Sequence, residues 1–270
     1  MLKHCILAGL AALSLIVPQR AALAQLLEQP AHADILPGWR QADGTHVAAL
    51  RIVLKDGWKT YWRAPGDGGI PPRFNWSGSR NLKALQPIWP APSVFLQNGL
   101  RSVGYERELL LPFAIAPRRA GADIKLSGTL EIGVCKDVCI PETLKVVAVL
   151  PGTATEVDPR IAAALAAQPY SAQEAGVSTV ECHMDATPDG IRLSATIQMP
   201  DAGREFAVIE TDNPELWVAE AALARRGATL SVSSEIIHVE NDPFLLNRDG
   251  VRITVLGSKY SVDIKGCRAG

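Results

Sequence analysis

The chain has 270 residues, a formal net charge of −1 and 47% hydrophobic residues. Two domains are the starting expectation at this length, each with room for its own core. So even a charge balance supplies no field for nucleic acid or an anionic membrane surface and argues against both.

The chain opens on a targeting segment. Lys3 gives the positive start, residues 6–17 the apolar run, and Ala22-Leu23-Ala24 a small-residue cleavage site. The mature chain is expected to begin at Gln25, and Cys5 leaves with the leader. No later run reaches the roughly 18 apolar residues of a spanning helix. An exported protein without stable membrane insertion follows.

Residues 25–35 read as a loose lead-in, with the first domain beginning near Leu36 or Trp39. Residues 47–54 form a strand with Ala48, Leu50, Ile52 and Leu54 on one face. Asp56-Gly57 turns the chain, and the aromatic WKTYW segment (58–62) is β-prone. The RAPGDGGIPP segment (63–72) can be neither helix nor central strand. Short strands are expected at 74–76, 94–96, 109–115 and 124–130, with a proline-punctuated loop at 87–92. In LEIGVCKDVCIP (130–141), Leu130, Ile132 and Val134 alternate with Glu131 and Gly133, and a second apolar run follows at 144–150. This predicts strand–turn–strand, with Lys136, Asp137 and Val138 in the turn and a cysteine on each arm.

Residues 151–158 read as a linker. Asp158-Pro159 supplies a helix cap and a proline at the first helical position, the IAAALAA run (161–167) is helix-prone, and Pro169 stops it. Beyond it, residues 191–199 alternate cleanly, and further strands are expected at 206–209, 230–232, 236–239, 251–256 and 260–264. Residues 216–226 are divided: Trp217-Val218 favours a strand, residues 220–226 a helix. The expected fold is all-β. An immunoglobulin-like antiparallel β-sandwich spans 36–150, a linker with a short helix 151–176, and a second, smaller β-sandwich 177–267. The two domains read as distant repeats of one design.

Four cysteines remain in the mature chain: Cys135, Cys139, Cys182 and Cys267. An even count in an exported protein suggests bridges. Of three possible pairings, adjacency favours Cys135 with Cys139, which leaves Cys182 with Cys267. The second bridge would close a loop of about 85 residues, worth ~4 kcal/mol in the chain-entropy model; the first closes a very small loop and restrains the unfolded chain little. A short, exposed bridge of that kind is suited to exchange. A plain hairpin clip and, with fewer than the usual four ligands, a metal site are its alternatives.

The segment DGWKTYWRAPGDGGIPP (56–72), followed by VCKDVCIPE (134–142), resembles the N-terminal periplasmic domain of the thiol:disulfide interchange protein DsbD, and more closely its ScsB-like relatives. The resemblance covers residues 36–150; the C-terminal domain looks like the further β region of the ScsB-like members. It implies a periplasmic, immunoglobulin-like protein-disulfide reductase. Its cysteine pair would be reduced by a membrane-embedded thiol reductant of the DsbD/CcdA type and would pass electrons to periplasmic thioredoxin-fold proteins, without a cofactor. It also implies Cys139 as the sulfur that joins the partner and Cys135 as the resolving thiol. A loop of the Pro65-to-Pro72 kind would shield the pair until a partner displaces it, with Tyr61 and Trp62 beside it and Gly68 among the glycines giving it mobility. Asp67 and Glu142 are candidates for proton handling, Lys136 for favouring a Cys135 thiolate, and Pro141 for setting the second arm. The Cys-x3-Cys spacing is shorter than in the best-known member. The sequence ends at Gly270 without a membrane or thioredoxin-like domain, so a stand-alone module is expected.

Two other classes compete. Cys182-His183-Met184 is a run of soft ligands suited to copper(I), but strand neighbours point to opposite faces and a bridge would consume the sulfur. A non-catalytic adaptor would bind a partner along a sheet edge. A serine hydrolase is not supported, since the chain lacks G-x-S-x-G.

Overall fold

The structure, a computed structural model, describes residues 29–97 and 99–270. The targeting segment and its cleavage site lie outside the described residues.

The first unit runs through β1 (Ala31–Arg40), β2 (His46–Leu54), β3 (Lys59–Tyr61), β4 (Arg73–Asn75), β5 (Leu82–Pro87), β6 (Ser93–Gln97), β7 (Leu100–Glu106), β8 (Glu108–Pro117), β9 (Ile124–Cys135) and β10 (Cys139–Leu150). One sheet has the order β1-β2-β8-β5, the other β10-β9-β3-β7-β6 with β4 beside β9. Ala48, Leu50, Ile52 and Leu54 face inward from β2, and Leu126, Leu130, Ile132 and Val134 meet them from β9. The second unit contains β11 (Tyr170–Ser171), β12 (Thr179–Thr187), β13 (Gly190–Gln198), β14 (Phe206–Glu210), β15 (Leu216–Val218), β16 (Ala222–Arg226), β17 (Thr229–His238), β18 (Arg252–Leu256), β19 (Ser261–Lys265) and β20 (Arg268–Ala269). Its sheets are β11-β19-β18-β14 and β15-β17-β13-β12-β20, with β16 also on β17. Each unit thus sets a four-stranded sheet against a six-stranded one. The fold is all-β and immunoglobulin-like.

Three local readings change. The lead-in is not loose from Ala31 onward: β1 pairs with β2 along its length, and the register shifts between Leu36 and Trp39. Pro37-Gly38 is accommodated at that shift. Gly38 has φ +63, and a Cβ on it would sit 1.8 Å from the Val47 carbonyl oxygen. Residues 216–226 hold no helix. They form two short strands on successive parts of β17, because pairing with a long neighbour outweighs local propensity. And β5 and β7 complete sheets in stretches where no strand is expected.

The helix α1 (Pro159–Ala166) begins as the sequence predicts: the Asp158 carboxylate accepts from the Arg160 amide, and Pro159 occupies the first turn. It packs on the first unit, where Ile161 joins Leu36, Trp39, Val47 and Ala49 on the outer face of β1 and β2. This explains why β2 is buried on both faces. The two units also touch directly. Phe206, Val208 and Leu256 pack against the first core, and Arg63 pairs with Glu210 and Arg101 with Glu220.

Candidate functional site: a cysteine hairpin seated on a tyrosine

β9 and β10 pair without a break, so Cys135 and Cys139 stand opposite one another. Their Cα atoms are 4.1 Å apart and the sulfurs form a disulfide. Lys136, Asp137 and Val138 make the turn, closed by the Lys136 amide on the Val138 carbonyl at 3.3 Å. The two cysteines differ in environment. Cys135 is 1% exposed, because β3 flanks β9 there and sets Lys59 opposite it. Cys139 starts β10 at the sheet edge and is exposed.

Tyr61 ends β3 beneath the bridge. Its hydroxyl lies 2.6 Å from Cys135 Sγ, 3.2 Å from Cys139 Sγ and 3.2 Å from the Gly68 carbonyl oxygen. Neither the disulfide sulfurs nor the carbonyl carries a proton, so the phenol is the donor and its one proton is shared among these three acceptors. Burial pushes its pKa above the ordinary value, which keeps it a neutral donor. The ring is held between two glycines. A Cβ on Gly69 would come within 2.9 Å of it, and one on Gly133 within 3.0 Å and also 2.7 Å from Ile70 Cβ. Thr60 Oγ1 donates to the Gly133 carbonyl at 3.0 Å and fixes β3 against β9.

The 63–72 segment therefore lies on Tyr61 and Gly133, flanking Cys135, while Cys139 faces outward. Trp62 is not at the surface: it is 0% exposed in the first core, with the Arg63 guanidinium stacked 3.8 Å from its ring centre. Its place follows from strand alternation, which sends Tyr61 and Trp62 to opposite sides. Asp67 lines a cleft of about 580 Å³ between this segment and the second unit. Burial and the nearby Glu220 raise its pKa. Gly68 supplies the carbonyl on Tyr61. Pro141 and Glu142 line a shallow groove of about 330 Å³ with Ile70, Pro71 and Arg73. The Lys136 side chain runs over Gly57 in the turn after β2.

Cys182 and Cys267 form the second disulfide, 85 residues apart in sequence. Cys182 is 0% exposed in the second core, and Met184 packs there too. His183 points the other way and pairs with Asp185 at 3.0 Å. Among the described residues no group of three or more His, Cys, Asp or Glu side chains is placed to hold a metal.

Sequence reading misses three features here. Gly133 and Ile70 carry no chemistry and give no signal. Arg63 and Glu210 are 147 residues apart, beyond any local pattern.

The fold and the site together define a class: immunoglobulin-like domains that carry a disulfide across a hairpin turn, one sulfur buried on a tyrosine and the other outward. Residues 27–151 match the family model described as thiol:disulfide interchange protein DsbD, N-terminal. The chain carries a DsbD-like N-terminal domain, and thiol–disulfide exchange is the chemistry of that family. The chain is also similar in fold to the solved N-terminal periplasmic domain of ScsB from Proteus mirabilis. The TM-score is 0.63 at 24% identity, over 89% of this chain and 92% of that one, so the likeness extends through both sandwiches. No curated protein matches the chain. Among the described residues no helix is long and apolar enough to cross a membrane.

Proposed function

We propose that this is a periplasmic thiol–disulfide exchange protein. It relays electron pairs from a membrane-embedded dithiol to oxidised thioredoxin-fold proteins through Cys135 and Cys139. The observation that carries the reading is the asymmetry of the bridge: Cys139 is exposed and Cys135 is buried on Tyr61.

In the reduced hairpin the Cys139 thiolate attacks one sulfur of a partner disulfide. A mixed disulfide forms, and the partner's other sulfur leaves as a thiolate. The Cys135 thiolate then attacks Cys139 Sγ. The hairpin disulfide forms, the partner's second thiolate leaves, and two electrons have passed to the partner. Protonation of the released thiolates completes its reduction, and a donor dithiol resets the hairpin by the same steps in reverse. Tyr61 donates to the sulfur that carries charge, and a hydrogen bond to a thiolate is stronger than one to a neutral sulfur. The surroundings suit a protein partner: Val138 in the turn is 70% exposed, Ile140 36% and Ile70 38%. Cys182–Cys267 serves as a structural bridge.

Redox titration of the purified protein, read by thiol labelling, tests this. Cys135–Cys139 is expected to equilibrate with glutathione buffers that leave Cys182–Cys267 intact. Cys135→Ser is expected to trap a mixed disulfide through Cys139. A hairpin bridge as resistant to reduction as Cys182–Cys267 would make it a clip and the protein a binding module.

A further inference from the structure

Tyr61, Trp62 and Arg63 are consecutive, and each is fixed by something different. Tyr61 touches both sulfurs. Trp62 is sunk in the first core, and its amide donates to the Val103 carbonyl at 2.9 Å. Arg63 lies over the Trp62 ring and reaches across to the second unit. Its Nε donates to one carboxylate oxygen of Glu210 at 3.0 Å and a terminal nitrogen to the other at 2.8 Å, with Thr254 Oγ1 at 3.4 Å. The pair is largely shielded, at 16% and 20% side-chain exposure, and its bidentate form fixes direction as well as distance. Glu210 ends β14, which pairs with β18 through five residues. Beyond Arg63 the chain returns at once to the tyrosine, through Pro65 and Gly69 to the Gly68 carbonyl on its hydroxyl. A second tie is parallel to the first. The Arg101 carbonyl oxygen lies near Gly66 and Gly68, and the Arg101 side chain pairs with Glu220.

We infer that Arg63 and Glu210 are a positioning pair for the redox hairpin, through which the second sandwich holds the 63–69 segment, and with it the Tyr61 hydroxyl, against the sulfurs. The inference rests on the exchange reading above and gives the second unit a part in the chemistry. Neither residue touches a sulfur. They act through Tyr61, so losing them has the same effect as losing its hydroxyl. Without the donor, the thiolate of the reduced hairpin is less favoured and the equilibrium moves toward the disulfide.

The experiment is a double-mutant cycle on the full chain. The equilibrium of Cys135–Cys139 with glutathione and its rate of reduction by dithiothreitol are measured for wild type, Tyr61→Phe, Glu210→Ala and the double variant. Glu210→Gln keeps the side-chain shape if the alanine variant folds poorly. Arg192→Gln, in an exposed pair with Glu235 between β13 and β17 of the same unit, is the control. Glu210→Ala is expected to shift the equilibrium at least threefold toward the disulfide, in the direction of Tyr61→Phe. The double variant is expected to lie within twofold of the stronger single one, and Arg192→Gln within twofold of wild type. Effects of Glu210→Ala and Tyr61→Phe that multiply, or a Glu210 variant within twofold of wild type while the hairpin still exchanges, would overturn the positioning role. A hairpin that does not exchange in the wild type would instead overturn the proposed function.

Discussion

Two disulfides in one chain should differ sharply in what they contribute to stability. In the loop-entropy model a bridge removes about 2.1 + 1.5R ln n cal/mol/K from the unfolded chain, where n is the loop length. With a separation of 85 residues, Cys182–Cys267 is worth about 4.5 kcal/mol at room temperature. With a separation of 4, Cys135–Cys139 is worth about 2 kcal/mol. Each pair has one buried member, Cys182 at 0% and Cys135 at 1% exposure, so the void that alanine leaves is similar in both and the loop term sets the difference. The Cys182→Ala/Cys267→Ala double variant should therefore lose more stability than Cys135→Ala/Cys139→Ala. Calorimetry should show the second unit's transition lowered by some 20 °C or more, at about 4–8 °C per kcal/mol for a domain of its size, with the first unit's transition held. Equal losses in the two variants, or a larger loss from the hairpin pair, would refute the reasoning: the short bridge would then be the structural one.

Three further outcomes follow from particular residues. Gly133→Ala should cost about 1–3 kcal/mol in a urea melt and speed the reaction of Cys135 with small thiols, because its methyl group would displace Ile70 and the Tyr61 ring. Val138→Asp should slow exchange with a protein disulfide about tenfold while leaving reduction by dithiothreitol within about twofold, since an apolar contact of that size is worth ~1–2 kcal/mol only to a docked protein. His46 is 0% exposed and its Nε2–H donates to the Pro37 carbonyl at 2.6 Å, and burial holds its pKa below 6.5. The unfolded state therefore binds the extra proton first. Stability is full above pH 6.5 and falls as the pH drops below it toward the folded-state value. Urea midpoints between about pH 7.5 and pH 5 should decline in the wild type and much less in His46→Gln; parallel slopes would remove His46 as the cause.

The strands that a reader of the sequence finds are those with one clean apolar face, such as residues 191–199 and the two arms of the cysteine hairpin. β7 is hidden by Gly104, which interrupts its pattern. The glycine is there because a Cβ would sit 2.1 Å from the Thr60 carbonyl oxygen, where β3 pairs with β7. The Pro37-Gly38 dipeptide conceals β1 in the same way. At the site, the cysteines and Tyr61 are evident from residue type and order, because reactive side chains announce themselves. What surrounds them does not. Trp62 reads like its neighbour Tyr61 and goes to the other side of the strand, and the partner of Arg63 lies in another domain.

The helix on the outer face of β1 and β2 also says where this protein can be cut. Leu150 ends the last strand of the first sandwich and is the obvious place to stop, yet a fragment ending there loses Ile161 and strips the cover from Leu36, Trp39, Val47 and Ala49. The Ala91 amide would also lose the Ala167 carbonyl that accepts it at 2.7 Å. A first domain that ends after Ala167 keeps this lid and loses only the cover that Phe206, Val208 and Leu256 supply from the second unit; one that ends at Leu150 loses both. In any engineered shuffling of these modules the helix belongs with the sandwich before it, and the module boundary falls after the helix.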